Sequence, residues 1–153
     1  MVEHDKRIGE MLGTLDELGI ADDTIVMYST DNGVHMNSWP DAGMTPFRNE
    51  KNSMWEGAYR VPCLVRWPGQ IPAGEVRNGI VSHLDWFTTL LAAAGVDDIA
   101  DQLKAGATLN GKEYKVHLDG ENMLPYWKGE TDESPRNQYV YFSDTGDLCA
   151  LRW

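Results

Sequence analysis

The sequence predicts an α/β fold, with parallel-type strands flanked by helices and a β-rich C-terminal tail, and three observations carry that prediction. A helix-period apolar stripe opens the chain, and two apolar runs of strand length follow with a long irregular segment between them. A second helical stripe comes after the second run, completing the order helix, strand, loop, strand, helix. One domain over 1–153 is expected, with 1–95 forming the main α/β part around a loop at 31–60, and 96–153 forming a C-terminal region.

The first stripe is Ile8, Met11, Leu12, Leu15 and Leu18, one face of a helix from about Val2 to Leu18 that Gly19 stops. Gly9 and Gly13 lie one turn apart inside it, each costing roughly 1 kcal/mol against Ala, which predicts a helix backbone running close to a sheet. The first strand, Thr24 to Thr30, is continuously apolar and β-branched, as suits a strand covered on both faces in a parallel sheet. The second, Val61 to Trp67, is closed by Pro68-Gly69. A helix after Ser82 places Leu84, Phe87, Leu91 and Ala94 on one face, with Asp85 three residues beyond the capping Ser82 and Gly95 as its stop. From there to about Asn137 the pattern weakens into Gly, Pro and charge. Tyr139–Asp144 and Leu148–Trp153 then read as a pair of strands about a turn at 144–147.

Thirteen Lys plus Arg stand against 24 Asp plus Glu, a net charge of −11 that argues against nucleic acid or an anionic membrane as partner. An anionic substrate would need positive charge supplied locally. Cys63 and Cys149 sit apart in separate apolar runs, which disfavours a disulfide framework or a zinc site. No apolar stretch approaches the roughly 20 residues that span a bilayer, so a soluble protein is expected.

Asp31-Asn32-Gly33 ends the first strand, where ligands of open α/β sheets bind. A carboxylate beside an amide carbonyl offers two hard oxygens suited to Ca²⁺ or Mg²⁺. The plainer reading is a hairpin turn, but the segment 34–60 provides no returning strand of alternating pattern. Trp39, Phe47, Trp55 and Tyr59 make that long loop too aromatic for disorder, and long ordered loops usually carry function. It also holds Arg48, Lys51 and Arg60. A lysine is a compact charge able to reach an anionic oxygen beside a metal, although a lone loop lysine is ordinarily just solvated.

The strings STDNG (29–33), FRNEK (47–51), WEGAYRVPCLVRWPG (55–69) and SHLDWFTTLLAAAG (82–95) together resemble the sulfatase family, in particular its bacterial arylsulfatase-like branch within the alkaline-phosphatase-like superfamily. The resemblance runs from Val2 to about Gly129. It implies a sandwich of that superfamily, here partial, and a divalent cation, usually calcium, held by paired aspartates from an N-terminal region together with an Asp-Asn pair matched by Asp31 and Asn32. It assigns the sulfate-contacting, catalytic lysine to Lys51, and His35 becomes a candidate substrate contact against the plainer reading of an exposed histidine. The family's E-G-G-x-R segment is Glu56-Gly57-Ala58-Tyr59-Arg60 here, with Ala in the third place, and Glu56 and Arg60 are expected to shape the loop. His83 and Asp85 are expected to cap a helix.

The family's nucleophile is a formylglycine made within C/S-x-P-x-R, a pattern that neither Cys63 nor Cys149 fits. The resemblance therefore implies a C-terminal fragment of a sulfuric ester hydrolase, inactive alone, whose formylglycine and first aspartate pair would precede Met1. Its substrate would be a sulfate-ester small molecule or carbohydrate, with no nucleic acid and no membrane as partner, in a bacterial cytoplasm or periplasm. A phosphodiesterase or phosphonate monoester hydrolase of the same superfamily, and a non-catalytic binding module, are the alternatives.

Overall fold

The computed structural model describes all residues from Met1 to Trp153. They form two compact units, Met1–Ala73 with Tyr141–Ala150, and Gly74–Val140 with Leu151–Trp153.

In the first unit α1 spans Val2–Glu17, as its stripe predicts. Gly19 ends it at φ 67°. The Ile20 amide donates to the Leu15 carbonyl (3.1 Å) and the Gly19 amide to that of Asp16 (3.0 Å), the paired bonds of a Schellman stop. The expected close approach of α1 to a sheet is not found. A Cβ added at Gly9 or Gly13 would meet nothing within 4 Å, and no residue of α1 is buried.

Strand β1 is Val26–Ser29 and β2 is Cys63–Arg66, shorter than the apolar runs that announce them. They pair antiparallel, Val26 opposite Arg66 and Ser29 opposite Cys63, which corrects the parallel arrangement read from the sequence. A continuous apolar run says only that both faces are fit to be covered; it does not fix the direction of the neighbour. Here Met27, Tyr28 and Leu64 remain exposed. Antiparallel pairing also dispenses with a crossover helix, and it starts and ends the loop at one end of the sheet. Ser29 closes that end by donating its hydroxyl to the Pro62 carbonyl at 2.9 Å.

In the second unit α3 spans Asp85–Ala93, α4 Ile99–Ala105 and α5 Leu124–Lys128. A hairpin of β3 (Ala107–Leu109) and β4 (Lys112–Tyr114) lies between α4 and α5, turning on Asn110 and Gly111 at φ 50° and 76°. Its small core is Ile99, Leu103, Met123, Tyr126 and Trp127. The apolar face expected to bury α3 is not the face this chain covers: Leu84 and Phe87 are 51% and 54% exposed, whereas Asp85, Thr88 and Thr89 are buried. Those polar groups are satisfied. Asp85 accepts the amide protons of Ser82 (2.7 Å) and Glu121 (2.8 Å), and a two-point contact from Arg136 at 2.5 and 2.9 Å. The Thr89 hydroxyl accepts the Met123 amide at 2.9 Å. Asp85 bonds the Ser82 amide as their spacing suggests, but Leu84 stands at the N-cap of α3 with no side-chain cap bond, so the capping expected of His83 and Asp85 gives way to a larger buried cluster around Asp85. The Asp85 carboxylate holds the Arg136 guanidinium above its ordinary pKa, so it stays charged.

Strands β5 (Tyr139–Phe142) and β6 (Leu148–Arg152) pair as expected about the turn at 144–147. Thr145 donates its hydroxyl to the Asp147 carboxylate at 2.7 Å, fixing that turn.

Candidate active site

Asp31 and Asn32 follow β1 immediately, and Lys51 lies in the loop that returns to β2. Nothing of strand character joins them; the loop is laced by backbone bonds. The Gly33 amide donates to the Ala58 carbonyl, the Gly57 amide to the Arg48 carbonyl, and the Lys51 amide to the Val34 carbonyl, each at 2.8 Å. Helix α2, a single turn at Glu56–Tyr59, thus touches both arms: Ala58 takes the arm carrying Asp31 and Asn32, and Gly57 takes the arm carrying Lys51.

Two glycines make this possible. A Cβ on Gly33 would stand 1.7 Å from the Gly57 carbonyl oxygen, and one on Gly57 would stand 1.9 Å from that of Asn49. Around Lys51, Asn49 and Asn52 adopt φ 66° and 68°, the left-handed conformation that Asn tolerates better than most residues. Asn49 steadies its own turn by accepting the Glu50 amide at its side-chain oxygen (3.0 Å). Glu50 reaches across to the opposite arm, where its carboxylate accepts the Asn37 amide at 3.1 Å.

The three loop cations have different surroundings. Arg48 lies 3.9 Å over the Trp55 ring, and Arg60 lies 4.4 Å over Phe47 and 3.4 Å from the Glu56 carboxylate. Glu56 and Arg60, expected to shape the loop, are paired with each other. The half-buried Lys51 ammonium makes no ion pair or cation–π contact within the chain. His35 is half-buried, and its carbonyl accepts the Trp39 amide at 3.0 Å.

Asp31 is exposed, and its carboxylate has only a long contact, 3.5 Å, from the Thr30 hydroxyl. One carboxylate and one amide carbonyl are the right donors for a hard cation, but a calcium shell takes about six to eight oxygens. No group of three or more His, Cys, Asp or Glu residues in the chain is arranged to hold a metal. The pair supplies two oxygens of the type such a shell uses, and by itself falls short of that number. Both cysteines are free, and desolvation pushes the Cys63 thiol above its ordinary pKa, away from the thiolate that a nucleophile needs.

Sequence reasoning missed Glu50 and Tyr141 as parts of this loop. The Tyr141 hydroxyl donates to the Glu56 carboxylate at 2.9 Å across 85 positions, a distance at which no local pattern signals the partner.

Comparison with known proteins gives this geometry its context. Mouse steryl-sulfatase is 31% identical over 99% of this chain and 23% of its own length. Human N-acetylgalactosamine-6-sulfatase is 37% identical over 80% of this chain and 21% of its own length. Among solved structures, the PsFucS1 sulfatase from Pseudoalteromonas sp. covers the whole chain with a TM-score of 0.82 at 33% identity, using 28% of its own length. Ps i-CgsB in complex with k-i-k-neocarrahexaose covers 97% of the chain with a TM-score of 0.72 at 28% identity, using 30% of its own length. The chain thus spans about a quarter of the length of the relatives it matches. The sulfatase family model matches residues 1–96, and this chain belongs to the sulfatase family.

Proposed function

We propose that the chain supplies part of the active site of a sulfuric ester hydrolase, with Asp31 and Asn32 as two oxygen ligands of a divalent cation and Lys51 as a contact to the sulfate. The observation that carries this reading is the lacing through α2, which ties the Asp31-Asn32 arm and the Lys51 arm into one assembly while leaving the Lys51 ammonium without an internal partner.

Bound calcium, or magnesium in its place, would supply positive charge against the sulfate oxygens. The chain's own contribution is orientation and charge. Asp31 brings a formal negative charge to the cation, Asn32 a neutral dipole, and Lys51 a point charge in a protein of net charge −11. A fixed cation aimed where negative charge develops stabilises the transition state without reorganising during reaction. A formylglycine and the remaining metal ligands would have to be provided by sequence outside this chain, so the chain by itself is assigned no turnover. The substrate class is a sulfate ester of a carbohydrate or other small molecule. The names of the N-acetylgalactosamine-6-sulfatases and the oligosaccharide complex of Ps i-CgsB support the carbohydrate side.

The test is made in a complete sulfatase domain carrying this sequence. Lys51→Ala is expected to lower kcat/KM by about 3 kcal/mol, roughly 150-fold, with the melting temperature unchanged. Lys51→Arg should rescue poorly, because a broad planar fork does not replace a compact ammonium beside a metal. Kinetics within about twofold of wild type would remove Lys51 from the site.

Asp31→Ala in the same domain should abolish activity and weaken calcium binding, since affinity follows the charge of the ligand set, and Asn32→Ala should do less. Calcium titration calorimetry reads this directly; an unchanged affinity in Asp31→Ala returns Asp31-Asn32-Gly33 to a simple turn.

A further inference from the structure

Helix α2 holds both arms of the loop, yet it is four residues long. A single helical turn has no stability of its own, because nucleation is unfavourable and isolated helices shorter than about 12 residues are marginal. Something outside the loop must hold it.

That support comes from the start of the terminal hairpin, within the same compact unit. Tyr141 is 5% exposed on β5. Its hydroxyl donates to one oxygen of Glu56, the first residue of α2, while the other oxygen faces Arg60. Its ring meets the ring of Tyr59, the last residue of α2, edge to face with centroids 4.4 Å apart. Tyr59 then donates its own hydroxyl to the Phe142 carbonyl at 3.2 Å. Both ends of α2 are therefore fastened to two consecutive residues of β5. Glycines 33 and 57 let the loop backbone close on α2 without a gap, so any movement of α2 passes into both arms.

We propose that Tyr141 is a positioning residue for the site: through Glu56 and α2 it sets the placement of the Asp31-Asn32 arm relative to the Lys51 arm. It touches neither substrate nor metal, and the proposal rests on those three residues forming the site. Rigid elements outside a loop commonly hold functional side chains in place. Here the rigid element lies more than eighty positions further along the chain.

The test is amide hydrogen exchange of the full chain by NMR, read at the three lacing donors, Gly33, Lys51 and Gly57, against reference amides in β1 and β2. Tyr141→Phe keeps the ring contact and removes the hydroxyl. It is expected to speed exchange of the three donors by about tenfold or more, with the reference amides within about threefold. Glu56→Gln keeps an acceptor for the Tyr141 hydroxyl and should leave the donors within about threefold of wild type. The proposal is overturned by unchanged exchange of the donors in Tyr141→Phe, by an equal change in donors and reference amides, or by Glu56→Gln acting as strongly as Tyr141→Phe. Neither metal nor ester enters this measurement, so its outcome is separate from the kinetic and calorimetric tests of the site itself.

Discussion

Alanine at Gly33 is expected to destabilise the first unit by more than about 4 kcal/mol, at the exceptional end of single substitutions. The new Cβ would lie 1.7 Å from the Gly57 carbonyl oxygen and 3.1 Å from the Ala58 Cα, both of them backbone atoms. A flexible side chain could swing aside; α2 cannot, because the Gly33 amide is itself bonded to Ala58 and Gly57 is bonded to Arg48. Relief requires breaking the lacing and separating the two arms. Overpacking against side chains ordinarily costs about 1–3 kcal/mol, so the excess measures the rigidity of the backbone seam. Gly9→Ala is the control, since its Cβ would meet nothing within 4 Å in a helix interior where Ala is the better residue. Urea unfolding of the two variants should move in opposite directions, and equal midpoints would show that the seam yields.

Arg136→Ala is expected to cost the second unit about 3–5 kcal/mol, the range for removing one partner of a buried ion pair. Asp85 is fully buried, and its oxygens would keep only the amide protons of Ser82 and Glu121. Arg136 also donates to the Asp119 carbonyl at 2.6 Å, and that bond is lost with it, while Glu121 stays tied to α3 through Asp85 and Thr88. Arg136→Lys retains the charge and loses the two-point fork, and it should recover part of the stability. Arg7→Ala serves as the comparison. Its ion pairs with Glu3 and Glu10 lie on the exposed face of α1, where such pairs are worth about 0–1 kcal/mol. Thermal unfolding that ranks Arg7→Ala with Arg136→Ala would contradict the buried cluster.

How much of this was legible in the sequence differs by the range of the interactions involved. Helix α1 and its Gly19 stop, the helix after Ser82 and the terminal strand pair are set by local pattern and capping, and they stand where the periodicity placed them. The direction of β1 against β2 depends on where the chain goes over the following thirty-odd residues, and the apolar run carries no record of it. Leu84 and Phe87 formed the right stripe but led to the wrong buried face, because a helical period reports which residues belong together and not which face this chain covers. The β3–β4 hairpin did have a local signal, Asn110-Gly111, that went unused for want of clear alternation around it. At the candidate site, Asp31, Asn32 and Lys51 were named as candidates through the order of the family motifs, and Glu56 and Arg60 through the family segment they match. Glu50, Tyr141 and the steric need for Gly33 were not found, since each arises from a contact made only after the loop has folded.

The bond from Gly33 to Ala58 also governs how the protein ages chemically. Asn-Gly pairs deamidate when the glycine nitrogen attacks the asparagine side-chain carbonyl, closing a succinimide ring and expelling ammonia. The chain has three such pairs, Asn32-Gly33, Asn78-Gly79 and Asn110-Gly111. In the first, the glycine nitrogen is committed to the Ala58 carbonyl at 2.8 Å within a seam that leaves no room to turn toward Asn32. In the second, the glycine nitrogen donates to the Tyr126 hydroxyl at 2.9 Å, and in the third the pair lies exposed at the tip of a short hairpin. Conversion to aspartate or isoaspartate is therefore expected first at Asn110, with the neutral amide at Asn32, whose change would add a negative charge beside Asp31, held back while the loop stays laced.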